Sequence, residues 1–158
     1  MSEVKQISVL MVRPDEYPFR LRIDCTEARM EELLKGPLEV LRLNDNALLV
    51  RNAHAQLNRL PQNRALLQES TYDEFLDDPA NKKQLKMIFG PLDAVIYGDF
   101  LIAYAGPDCD EFRDLPEDLE EKYERRFHFP DRFFNIKTGI FMKHFVPEVR
   151  QREDDLER

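Results

Sequence analysis

QISVLMVR, residues 6–13, constrains the fold more than any other stretch of the chain. Its apolar residues are nearly continuous and partly β-branched, the pattern of a strand covered on both faces. RPDEYP then reads as a turn. FRLRID, 19–24, alternates, with Phe19, Leu21 and Ile23 to one side and Arg20 and Arg22 to the other. That spacing predicts a half-buried strand antiparallel to the first.

The next segments continue the sheet. Asp24 with Glu27 three residues on has the form of a capping box, and Met30, Leu33 and Leu34 form an apolar stripe at helical spacing. Gly36-Pro37 is a stop signal. LEVLRL (38–43) and ALLVRN (47–52) read as two strands joined through Asn44-Asp45-Asn46, residues that tolerate left-handed turn geometry. The start is therefore expected to run ββαββ.

Helix is expected around 72–89, with TYDEFLDD and ANKKQLKMIFG as separate pieces. AVIYGDFLIAYA reads as one or two buried strands broken at Gly98-Asp99. LPEDLEEKYERRF, 115–127, is expected to be a helix, with Pro116 in its first turn, acids early and Arg125 and Arg126 late. Residues 127–145 carry six of the eleven phenylalanines, which predicts strands returning to the sheet. The whole describes one α+β domain over 1–146, with 127–146 an aromatic C-terminal extension packed on it and 147–158 a charged tail. The sheet is expected to be mixed or mainly antiparallel, of about five to seven strands, with two or three packed helices.

Charge narrows the function classes. The net charge is −8, yet residues 1–60 hold nine bases and nine acids, so the excess lies beyond them. Residues 108–121 alone hold eight acids and one arginine. Such a chain repels nucleic acid and anionic membrane, so direct nucleic-acid binding is not expected. The apolar runs are short and the N-terminus has no leader-like pattern, so neither a membrane span nor a secretory signal is expected. Cys25 and Cys109 form no paired motif, which points to a reducing, cytoplasmic compartment.

No metal-ligand spacing, phosphate loop or nucleophile motif is present, so no catalytic residue, metal or cofactor is assigned. Two sets of residues are candidates for binding. Arg20, Arg22, Arg42 and Arg51 lie on the early strands, and Asn63 and Arg64 come later, in NRLPQNRALL. If the arginines shared one face they would form a cationic platform beside that loop, suited to phosphate or carboxylate groups. The bland alternative is surface pairing with acids such as Glu39 and Asp24. In the loop, Pro61 rigidifies the backbone and Asn63 is placed to cap the element that begins at Arg64. The second set is the acidic run: Asp108, Asp110, Glu111, Asp114, Glu117, Asp118, Glu120 and Glu121. It reads as a solvated face or as a dock for a basic partner.

ISVLMVRPDEYPFRLRID, TEARMEELLKG leading into LEVLRL, LPQNRALL, IYGDFLIAYAG and LPEDLEEKYERRF together resemble an uncharacterised bacterial "domain of unknown function" family common in phages and conjugative elements. The resemblance covers roughly 1–127, and its most specific element is P-x-N-R-A-L, Pro61 to Leu66. FHFPDRFF and the aromatic C-terminal segment lie beyond it. The resemblance implies an accessory protein of a phage or mobile element in the bacterial cytoplasm. It implies no reaction. The leading expectation is a non-enzymatic protein that binds a partner, such as a host nucleic-acid or defence component. The alternative is a small-anion or nucleotide binder, enzymatic or not, using the arginine face and the Asn63-Arg64 loop. A third reading is a homo-oligomer completed by the aromatic C-terminal segment.

Overall fold

The computed structural model describes residues 4–66, 86–87, 94–105, 111–136, 139–144 and 146–147. β1 (Gln6–Val12) and β2 (Phe19–Asp24) pair antiparallel as the patterning predicts, Leu10 opposite Arg20 and Ser8 opposite Arg22. Helix α1 (Glu27–Leu34) comes next. Its cap is Thr26, whose Oγ1 accepts from Arg29 N–H at 3.1 Å. The expected Asp24–Glu27 box does not form, because Asp24 is still in the strand. Lys35 ends the helix in the left-handed region (φ 67°). Gly36 is needed for close approach: a Cβ there would stand 2.6 Å from Asn52 Nδ2. That carboxamide is held at both ends, donating to Leu34 O and accepting from His54 N–H.

β3 (Leu38–Arg42) and β4 (Ala47–Asn52) form the expected hairpin, with Asp45 and Asn46 at positive φ in the turn. β5 (Gln62–Leu66) pairs with β7 (Ala94–Tyr97), and β8 (Phe100–Tyr104) begins at once after β7. The chain turns between β7 and β8 at Gly98 (φ 73°), where a Cβ would meet Leu60 Cδ1 at 2.8 Å. The second helix, α2 (Glu117–Arg126), precedes a hairpin of β9 (Asp131–Ile136) and β10 (Gly139–His144). β6 (Lys86–Met87) pairs with β10.

The central sheet is wholly antiparallel, in the order β2-β1-β8-β4-β3. On one face Ile7, Val9, Met11, Val50 and Leu101 pack under Met30 and Leu34 of α1. On the other, Leu10, Val12, Leu49, Phe100 and Ile102 are covered by Leu119 and Tyr123 of α2 and by Phe127. β1 is thus buried on both sides, which is why its sequence does not alternate.

Two further expectations are corrected. The aromatic C-terminal strands do not rejoin the central sheet. Met142 of β10 lies in the same buried cluster as Leu49 and Phe100, so the hairpin covers the sheet instead of widening it. Lys86 and Met87 are strand, because their backbone partners on β10 override the local helical spacing. The rest of the segment expected to be helical, and the tail after 147, lie outside the described residues. No helix among the described residues is long and apolar enough to cross a membrane.

Candidate functional site

The Asn63-Arg64 pair lies inside the protein. β5 is irregular between Gln62 and Arg64, so Asn63, Arg64 and Ala65 are all buried where a regular strand would alternate. Asn63 does not cap a helix. Its Nδ2 donates to Val12 O at 2.9 Å and Gly98 O at 2.8 Å, and its Oδ1 accepts from Arg64 Nη1 at 2.9 Å. Arg64 is 1% exposed. Its Nε donates to Phe127 O (2.9 Å), Nη1 also to Arg13 O (3.3 Å), and Nη2 to Glu16 O (2.5 Å). Burial pushes its pKa down to about 10, against the opposing pull of Asp131 and Asp15. The guanidinium therefore remains a cation at neutral pH. It ties the β1–β2 loop to the end of α2, with its donors facing backbone carbonyls.

The strand arginines do not converge. Arg20 and Arg22 share a face and both donate to Ser8 Oγ, at 3.1 and 3.3 Å. Arg20 meets Glu120 at 3.6 Å and Arg22 meets Asp114 at 3.6 Å. Arg51 pairs with Glu39 at 3.4 Å beyond the sheet's centre. Arg42 lies opposite Leu48, which in turn lies opposite Ala103, so it projects from the α1 face.

Of the acidic run, Asp108 and Asp110 fall outside the described residues. Asp114 accepts from Ser8 N–H at 2.8 Å, and Leu115 N–H donates to Ser8 O at 2.9 Å, so this segment is stitched to β1. Asp114 and Glu120 serve the β2 arginines. Glu111, Glu117, Asp118 and Glu121 are exposed and, among the described residues, enter no ion pair.

A cleft of about 580 Å³ opens between the start of β2 and the flank of α2. Leu10, Pro18, Phe19 and Arg20 form one wall; Glu120, Glu121, Glu124 and Arg125 form the other. His128 and Phe129 close its end. His128 Nδ1 lies 2.6 Å from Glu124 Oε1. Its ring stacks on Tyr17 at 4.5 Å and meets Phe129 edge-on at 4.7 Å. Arg125 is exposed and has no carboxylate partner among the described residues. The lining offers apolar and aromatic surface for a side-chain stem and carboxylates for a cationic head. Among the described residues its lining contains no serine, threonine or cysteine.

Sequence reasoning missed Tyr17, Glu124, Arg125, His128 and Phe129. The one available signal was the i,i+4 spacing of Glu124 and His128 at a helix end. Among the described residues no group of three or more histidines, cysteines and carboxylates is placed to hold a metal.

No curated protein and no solved structure matches this chain. A family model described as "Domain of unknown function (DUF3846)" matches residues 7–128. That span contains the central sheet apart from Gln6, the two described helices, the Asn63-Arg64 pair and every described cleft residue except Phe129, and it stops before the β9–β10 hairpin. The chain belongs to that family.

Proposed function

We propose that the protein is a non-enzymatic accessory protein of a phage or mobile element, working in the bacterial cytoplasm by binding a protein partner with a basic surface. A host nucleic-acid or defence component is the proposed partner. The observation that carries this reading is the division of labour among the charges. The β2 arginines are met by Glu120 and Asp114, while Glu121 in the wall of the aromatic-lined cleft, and Glu117 and Asp118 one turn earlier on α2, stay exposed. The uncompensated charge on this flank is negative, and the cleft gives a lysine or arginine stem an apolar wall.

Affinity capture from host lysate tests the reading, comparing wild type with the triple variant Glu117→Gln, Asp118→Asn, Glu121→Gln. A basic protein retained by wild type and lost by the variant supports it. An unchanged set of captured proteins overturns it.

The second reading is a small-anion or nucleotide ligand. It rests on Arg125, unpaired among the described residues, standing in the same cleft as Arg20. A nucleotide panel in thermal-shift assays tests it. A ligand at 100 times its dissociation constant raises stability by about 2.7 kcal/mol. A flat response across the panel, with a basic protein captured, leaves the first reading alone.

A further inference from the structure

We infer that the outer edge of β2 accepts an extended segment of the partner protein as an added strand. This inference rests on the protein-binding reading and specifies how the partner engages. Among the described residues β2 has β1 on one side and no strand on the other.

The ladder geometry shows which backbone groups face outward. Cys25 N–H donates to Lys5 O at 2.7 Å, so Cys25 and Lys5 form a hydrogen-bonded pair, and in an antiparallel ladder such pairs alternate. The register then places Ile23–Ile7, Leu21–Val9 and Phe19–Met11 in the bonded set, and Arg22–Ser8 and Arg20–Leu10 in the other. Ser8 confirms the phase independently: its N–H and C=O turn away from β2 to Asp114 and Leu115. The N–H and C=O of Arg20 and Arg22 therefore point out from the sheet, and no described residue meets them.

Edge strands usually block such pairing with charge, bulges or proline. β2 carries charge, but both guanidinium groups bend back over Ser8 toward Glu120 and Asp114, which leaves the backbone edge clear. Phe19 and Leu21 are half-buried at the same edge, on the α1 face.

An added strand would place alternate side chains beside Leu21 on one face and, on the other, beside Arg20 and Arg22, whose charge Glu120 and Asp114 already meet, with the cleft carboxylates Glu121 and Glu124 beyond them. The chemistry that fits is an extended segment in which apolar residues alternate with lysine or arginine. A second copy of this chain is disfavoured as the occupant, because each copy carries a net charge of −8.

The test is selection of a displayed library of linear random peptides on the full-length protein, with synthesis of the best binder. Selected peptides should alternate apolar and basic residues. N-methylation at alternate amides should weaken binding about tenfold or more, with the intervening amides tolerant, because only every second group faces the edge. On the protein, Arg22→Pro removes an outward donor without touching the β1 ladder, and should cost about tenfold. Arg22→Ala keeps the donor and should stay within about threefold. Circular dichroism checks that both variants fold, and the N-methyl series needs no variant.

Binding that ignores both N-methylation and Arg22→Pro, yet falls on neutralising Glu121 and Glu124, overturns strand addition while the basic-partner reading stands. Selected peptides without basic residues, insensitive to those acids, remove both. Light scattering that shows a dimer in wild type and a monomer in Arg22→Pro assigns the edge to a second copy and overturns the partner assignment.

Discussion

Arg64 is one of the largest side chains buried in the protein, and its hydrogen bonds explain how a cation is held there. It reaches three backbone carbonyls and the Asn63 amide oxygen, so each of its three nitrogens has an acceptor without a direct carboxylate bond. Replacing it with an apolar side chain removes the donors while leaving the acceptors enclosed. Arg64→Met is expected to lower the unfolding free energy by about 3–5 kcal/mol, with Arg64→Lys falling between it and wild type. Urea denaturation checks this, with Arg42→Ala, an exposed position, as a control expected to change stability by less than about 0.5 kcal/mol. The motif was visible in the sequence as P-x-N-R-A-L, but its destination was not. Arginine and asparagine are usually exposed, so composition favoured a surface site. Only the irregularity at Gln62–Arg64, which no residue type announces, turns both side chains inward.

Elements whose residues share one environment were legible in advance. β2 has the predicted limits and facing, because its Phe-Arg-Leu-Arg-Ile alternation leaves one choice of face. The Asn44–Asn46 turn and the break at Gly98 came from residues that accept positive φ. What the pattern could not reveal is that β7 and β8, one turn apart, belong to different sheets. Asp99 sits in that turn, 3.4 Å from Arg13. Burial raises its pKa above the ordinary 3.8, while Arg13 and Lys35 oppose the shift. The folded protein therefore holds this proton more tightly than the unfolded chain. The associated stability is complete below 3.8 and is lost as pH rises through the folded value. Asp99→Asn removes this dependence. Its thermal midpoint, measured upward from acid pH, should vary less with pH than that of wild type.

At the scale of the whole molecule, the C-terminal hairpin is joined to the family domain through polar contact as well as apolar packing. The Asp131 carboxylate, almost fully buried, accepts from Ala65 N–H at 2.8 Å and is the leading favourable charge for Arg64. Yet Asp131 lies beyond the matched span of 7–128. Asp131→Asn is expected to cost about 1–3 kcal/mol, seen as a lower denaturation midpoint with an unchanged slope. The order β2-β1-β8-β4-β3 carries a further consequence, for synthesis. β8, made after residue 99, is the wedge between two hairpins finished by residue 52. On the ribosome those early hairpins must wait side by side, each with one flank bare, until the missing middle emerges. Arg64 waits longer still, since its acceptor on Phe127 is made 63 residues later. Such a chain closes in one late event after most of it has left the exit tunnel, and chaperones have a long interval in which to meet it.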